Sequence, residues 1–173
     1  MIFPRIMLAA LAAAMLAAPP APSIADDNTM AMPMDGAPVK VGDLEISGAF
    51  ARATLPNAPV GGGYFTVTNR GSTPDRLVSA TSPAAGSVTL HTMGMDGNVM
   101  KMRALPDGID IPPGVAVNLT PSGLHMMFEH LNGPFIQGKT VPVTLVFEKA
   151  GSVTIDLNVL GIAAGAPVSG MSM

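Results

Sequence analysis

The chain has 173 residues, one domain's worth, with 48% hydrophobic residues but only 4% aromatics, and with 19 Gly and 17 Pro; that balance argues for a turn-rich β fold over a helical one. The formal net charge is −3 and the 9 Lys and Arg are scattered without a basic stripe, which excludes a nucleic-acid binder. Cysteine is absent, so no disulfide staples the fold and no thiol serves as nucleophile, redox centre or metal ligand.

In chain order, Arg5 precedes the apolar run "IMLAALAAAMLAA" and the small-residue segment "SIA". These predict a signal peptide over residues 1–25, cleaved after Ala25, since the run is too short to span a bilayer. The alternative is an N-terminal membrane anchor. A lipoprotein is not expected, because acylation needs a cysteine. Loss of Arg5 leaves 8 basic against 12 acidic residues, near −4 for the mature chain. Export predicts a periplasmic or extracellular protein with no membrane attachment after cleavage. Residues 26–38, "DDNTMAMPMDGAP", read as a flexible leader. Its Met30, Met32 and Met34 are either incidental in a disordered tail or a copper-scavenging arm.

From Val39 to residue 160 the pattern is β. "LEISGAFARAT" alternates loosely, and "GGGYFTVTN" runs from a glycine cluster into a strand that ends at the turn Asn69-Arg70-Gly71. "DRLVSATS", "GSVTLHTM", "NVMKMRAL", "IDIPPG", "VAVNLT", "GLHMMFEHL", "TVPVTLVFEK" and "SVTIDLNVL" follow, punctuated by Pro83 and by "PDG". Roughly nine short strands at this spacing predict an all-β sandwich or barrel. Residues 161–173 read as a loose tail.

The stretch "LHTMGMDGNVMKM", Leu90 to Met102, crowds four methionines around one histidine. Asp96-Gly97 is a strong two-residue hairpin turn. With that loop, His91 lies opposite Met102, and Met93 opposite Met100. A shift of the loop to Gly97-Asn98 would instead set His91 opposite Ala104, and Met93 opposite Met102. Further on, His125 and Met127 are two apart on a predicted strand and share a face, while Met126 points the other way. Two strands fit between Met102 and His125. His91, Met102, His125 and Met127 can then converge as a two-His, two-Met site.

Thioethers are soft and neutral and imidazole is borderline, so this donor set suits Cu(I) and not hard cations; zinc more often recruits Cys or carboxylates. Thioethers do not titrate, so only the imidazoles would make binding weaken in acid. Taken singly, Met93, Met100 and Met126 also fit core filling. His130 falls on the opposite parity from His125 and reads as an exposed residue near a strand end.

The chain resembles the PCu(A)C family of periplasmic copper chaperones. The resemblance rests on a His, a gap of about ten, a Met, a gap of about twenty and then His-x-Met, matched by His91, Met102 and His125-Met126-Met127. The surrounding text "ARATLPNAPVGGGYFTVTN", "VMKMRAL", "IPPG", "LHMMFEHL" and "VPVTLVFE" is similar too, over roughly Asp43 to Val159. It implies a cupredoxin-like Greek-key fold, with His91, Met102, His125 and Met127 as copper ligands. The implied role is to hold Cu(I) and pass it toward the CuA centre of cytochrome c oxidase, directly or through an assembly chaperone. Some relatives carry a His- and Met-rich C-terminal tail; here Met171 and Met173 stand without His, so no strong second site is expected there.

The chain is expected to work as a monomer and not as an enzyme. It shows no Ser-His-Asp spacing, no paired carboxylates on a strand motif and no phosphate loop, since "GGG" at Gly61–Gly63 leads into a strand and not a helix. A blue-copper centre needs Cys, and a copper monooxygenase using an N-terminal His does not fit a chain starting at Asp26. The readings left beside delivery are copper storage or tolerance, and a non-metal extracellular module whose Met cluster is a contact surface.

Overall fold

The computed structural model describes residues 37–165. The predicted signal peptide, almost all of the leader with Met30, Met32 and Met34, and the tail residues Met171 and Met173 lie outside the described residues. Eleven strands and no helix are present among those described: β1 (Val39–Val41), β2 (Leu44–Arg52), β3 (Val60–Asn69), β4 (Asp75–Thr81), β5 (Ala85–Asp96), β6 (Val99–Ala104), β7 (Ile109–Ile111), β8 (Ala116–Asn118), β9 (His125–Leu131), β10 (Thr140–Phe147) and β11 (Gly151–Leu160).

Seven of them close a barrel in the order β2-β11-β10-β4-β5-β9-β3 and back to β2, while β1, β6, β7 and β8 add to its rim. β3 and β4, and again β9 and β10, are consecutive in the chain yet not paired, so the chain crosses the barrel ends as a Greek key does. All pairings between these strands are antiparallel except β2 with β11, where Phe50 meets Asn158 and Ala51 meets Val159. The expected all-β, cupredoxin-like class is the fold found, with more short strands than the turn signals marked.

Strict period-2 alternation builds the core. Along β10, Val141, Val143, Leu145 and Phe147 point inward and the residues between them point out, as a half-buried strand requires. β2 pairs with β3 along one edge and, by bending, divides the other between two partners. Its register against β3 shifts between Ser47 and Phe50, around Gly48 at φ +60°, a bulge conformation that glycine adopts without strain. Before the bulge β2 pairs with β1; after it, with β11.

With no disulfide available, one buried carboxylate ties the barrel end together. Asp75 Oδ1 accepts from the backbone N–H of Arg76 (2.7 Å) and Lys149 (2.9 Å), and Oδ2 from that of Ala150 (2.9 Å). Burial pushes this carboxyl up, but the three backbone donors outweigh it, and the net position is below the usual 3.8. The folded pKa is the lower one, so the stabilisation is complete above pH 3.8 and is lost as the pH falls through the folded value. Asp75→Ala strands three donors and is expected to cost about 2–3 kcal/mol at pH 7. Urea unfolding of the two proteins should show that gap narrowing as the pH is taken below 3.8; a gap that stays constant would assign the effect to packing.

Candidate metal centre

β5 lies between β9 and β6, and all three point the same set of side chains to one face. His91 on β5 is directly opposite His125 on β9. Their rings lie 5.7 Å apart between centroids, tilted by 43°, and are only 8% and 7% exposed. The neighbours Leu90 and Met126, also paired, point the other way into the core.

The hairpin register differs from the Asp96-Gly97 reading. The two-residue loop is Gly97-Asn98, and the pairs are His91 with Ala104, Met93 with Met102 and Met95 with Met100. The positive φ falls on Gly97, at +64°, and on no other residue of the turn. A single positive φ at the first central position is the Gly-X form of hairpin turn, which glycine fits and aspartate does not. Asp96 is then a strand residue, and its carboxylate holds Lys101 Nζ at 2.6 Å. Met102 therefore sits diagonal to His91, one rung outward, and Met93 lies beside His91 on its own strand.

Met127 is two residues beyond His125 on the same face, paired with Thr89 on one side and Gly62 on the other. It is half-buried, as is Met93. His125, Met127 and Met93 line one cleft of 260 Å³ together with Arg52, Tyr64 and Pro121. The glycine run explains the room: a Cβ on Gly62 would collide with the Tyr64 hydroxyl, and one on Gly63 would sit 2.7 Å from the Phe128 ring. Gly61–Gly63 lie within β3 and not ahead of it. Arg52 stands 5.7 Å over the Tyr64 ring. Burial pushes the Tyr64 phenol up, with the Arg52 charge acting the other way, so the phenol stays neutral at physiological pH and Arg52 is the charged group of the cleft lining.

The imidazoles are set up as lone-pair donors. His125 Nδ1 lies 3.0 Å from Gly123 O. A carbonyl only accepts, so Nδ1 carries the proton and Nε2 presents its lone pair. The same carbonyl accepts from Met93 N at 3.1 Å, fixing the loop before β9 against β5. His91 Nδ1 is buried with no hydrogen-bond partner among the described residues. Such an orphan is costly unless something binds it, and a soft cation held with the neighbouring thioethers fits that vacancy in the bonding. No three His, Cys, Asp or Glu side chains come together at metal-holding geometry among the described residues, so a hard-donor site is absent there.

Burial, and then the nearby His125, lower the His91 pKa from 6.5, with Glu129 opposing. The folded value being the lower, stability is full above pH 6.5 and falls as the pH drops below it, because the unfolded chain takes up a proton first. The metal-free protein is therefore expected to lose stability between pH 6.5 and the lowered folded value, with a contribution from His91 of at most about 1.4 kcal/mol per pH unit. His91→Asn should flatten that part of the curve; an unchanged slope would place the titration elsewhere.

Thus the structure brings His91, His125 and Met127 onto one face, with Met102 at its outer edge. Met93, which the sequence reading did not place in the ligand set, shares the face of His91 and lines the cleft. His130 points away from the pair, exposed, with φ at +55° opposite Gly86.

Fold and site together define a small all-β barrel domain that presents paired imidazoles and thioethers on one face. A family model described as "Putative lipoprotein LpqE-like" matches residues 44–159. The chain belongs to this LpqE-like family, and its barrel is of the PCuAC type. Among solved structures it is similar to the copper-bound PCuAC domain from PmoF2, at 31% identity and a TM-score of 0.61, over 72% of this chain and 97% of that one. It is also similar to Cu(I)-bound DR1885 from Deinococcus radiodurans, at 29% identity and a TM-score of 0.55, over 71% of this chain and 80% of that one. A curated relative, "Putative lipoprotein Lxx21020" of Leifsonia xyli subsp. xyli, is 32% identical over 104 residues. That match spans 60% of this chain and 61% of the relative's length.

Proposed function

We propose that this protein is an exported, periplasmic Cu(I)-binding metallochaperone that holds the ion at His91, His125, Met127 and Met102 and hands it toward the CuA centre of cytochrome c oxidase. The observation that carries the reading is the buried imidazole pair with an orphaned nitrogen at His91, flanked by thioethers and, among the described residues, by no carboxylate cluster. That donor set favours a soft monovalent ion. The similarity to copper-bound PCuAC domains supports copper as the cargo. The recipient rests on the family resemblance of the His-Met pattern. The relatives named as lipoproteins support export, while this sequence itself has no cysteine to acylate.

The arrangement suits transfer. The imidazoles are buried and oriented, whereas Met102 is 46% exposed and its side chain is flexible. Met102 and then Met127 leave the ion first, and a recipient's donors replace them one at a time while the His pair holds on. The test is a competition titration with Cu(I) against a chromogenic chelator, beside the His91→Ala, His125→Ala double variant. The tightest-bound equivalent is expected to be lost in the variant. A tightest equivalent held with unchanged affinity by the variant, or no binding at all by the protein, would remove the imidazole pair from the site and end the chaperone reading.

A further inference from the structure

The delivery site leaves most of the methionines of the β5–β6 hairpin without a role. The register sorts them. Met93 and Met102 form one cross-strand pair and Met95 and Met100 the next, both on the face that carries His91. Directly opposed Cβ atoms lie about 4.5–5.5 Å apart, within reach of two thioether sulfurs converging on one ion. The reverse face is charged: Lys101 Nζ meets Asp96 at 2.6 Å, with Arg103 at 4.0 Å from the same carboxylate. The hairpin is therefore two-sided, one face salt-bridged and the other made of sulfur.

Exposure rises along the sulfur face. Met93 is half-buried, Met102 is 46% exposed, and Met100 and Met95 are 54% and 62% exposed. Core filling does not account for such residues, and every residue of β6 is exposed. Four soft donors on two adjacent rungs next to a buried imidazole pair form a ladder from solvent to site.

The geometry points to a second, outer Cu(I) site made of thioethers alone, held by Met95 and Met100 with Met93 or with Met102, which it would share with the inner site, and through which the ion enters and leaves. This rests on the Cu(I) reading above. The ion stays Cu(I) and no proton moves: one neutral sulfur leaves as another arrives. Thioethers carry no proton to lose, so binding at this outer site takes up and releases none.

The test is a Cu(I) titration under argon of protein carrying carbon-13-labelled methionine methyls, each assigned from single Met→Leu variants. The first equivalent is expected to move the Met102 and Met127 methyls, and the second those of Met95 and Met100. In the Met95→Leu, Met100→Leu variant, a change that keeps volume at exposed positions, the first equivalent should remain and the second be lost, with release to a chelator several-fold slower. The His91→Ala, His125→Ala variant should still show the Met95 and Met100 shifts. One bound equivalent with Met95 and Met100 unmoved, or unchanged release from the Met95→Leu, Met100→Leu variant, overturns the outer site and leaves the inner one standing. No Cu(I) bound at any methionine overturns both.

Discussion

His125→Ala is expected to weaken Cu(I) binding by about a hundredfold or more, since losing even a residue that merely orients a ligand costs 10–100-fold. His125 stands out because its lone pair is committed: Nδ1 is tied to Gly123 O at 3.0 Å, which leaves Nε2 facing the cleft with the tautomer and ring orientation fixed. Its partner His91 sits directly across the β5–β9 ladder, so the two imidazoles are placed before the ion arrives. Met102→Leu should cost much less, about tenfold, because an exposed, flexible ligand is less preorganised and Met93 faces it across the hairpin. Chelator competition on the two variants gives the ratio directly. A His125→Ala protein that binds within a few-fold of wild type would remove the imidazole pair from the site, and a Met102→Leu protein that loses more than His125→Ala would invert the order argued here.

Phe128→Ala is expected to destabilise the metal-free protein by about 3–5 kcal/mol, the usual cost of emptying an aromatic core position. Phe128 is fully buried, stacks edge-on against Phe135 at 5.3 Å and lies over Gly63, the gap left for it by β3. It occupies β9 between Met127 and the strand's outer end, on the face opposite the ligands. The cavity therefore opens directly beneath the strand that carries His125 and Met127. Cu(I) should recover part of the lost stability by mass action, since it binds only the folded site. Phe128→Leu keeps most of the volume and should lose far less. Thermal unfolding of the three proteins, with and without Cu(I), checks this. A loss below about 1 kcal/mol for Phe128→Ala would mean that neighbouring side chains collapse into the space.

Much of the site is local and was legible. The parity of His125 and Met127, with Met126 turned inward, follows from strand geometry and needs no partner. The hairpin was legible as a hairpin, but its register was not, because Asp96-Gly97 and Gly97-Asn98 both have turn chemistry. The choice fell to where glycine's positive φ is wanted, and to Asp96 gaining Lys101. The pairing of His91 with His125 joins residues on strands separated by β6, β7 and β8, and no periodicity encodes such a contact. The bulge at Gly48 and the depth of Gly63 against Phe128 are likewise tertiary. Short rim strands such as β7 and β8 carry too few residues to show a period, and β1 gave no strand of its own. The three consecutive glycines were legible as unusual, but their meaning, room for Tyr64 and Phe128, is a property of packing.

The closing seam of the barrel has a kinetic consequence. β2 finds its parallel partner in β11, more than a hundred residues later, so the ring cannot shut until β11 has been made. Contacts of such separation fold slowly, because the entropy of closing the loop comes before the contacts that offset it. A ribosome- or translocon-held chain ending before Gly151 has β10 and the far half of β2 as bare edges, open to pairing with other chains. Closure of the barrel thus waits on β11, the last of the described strands to be made.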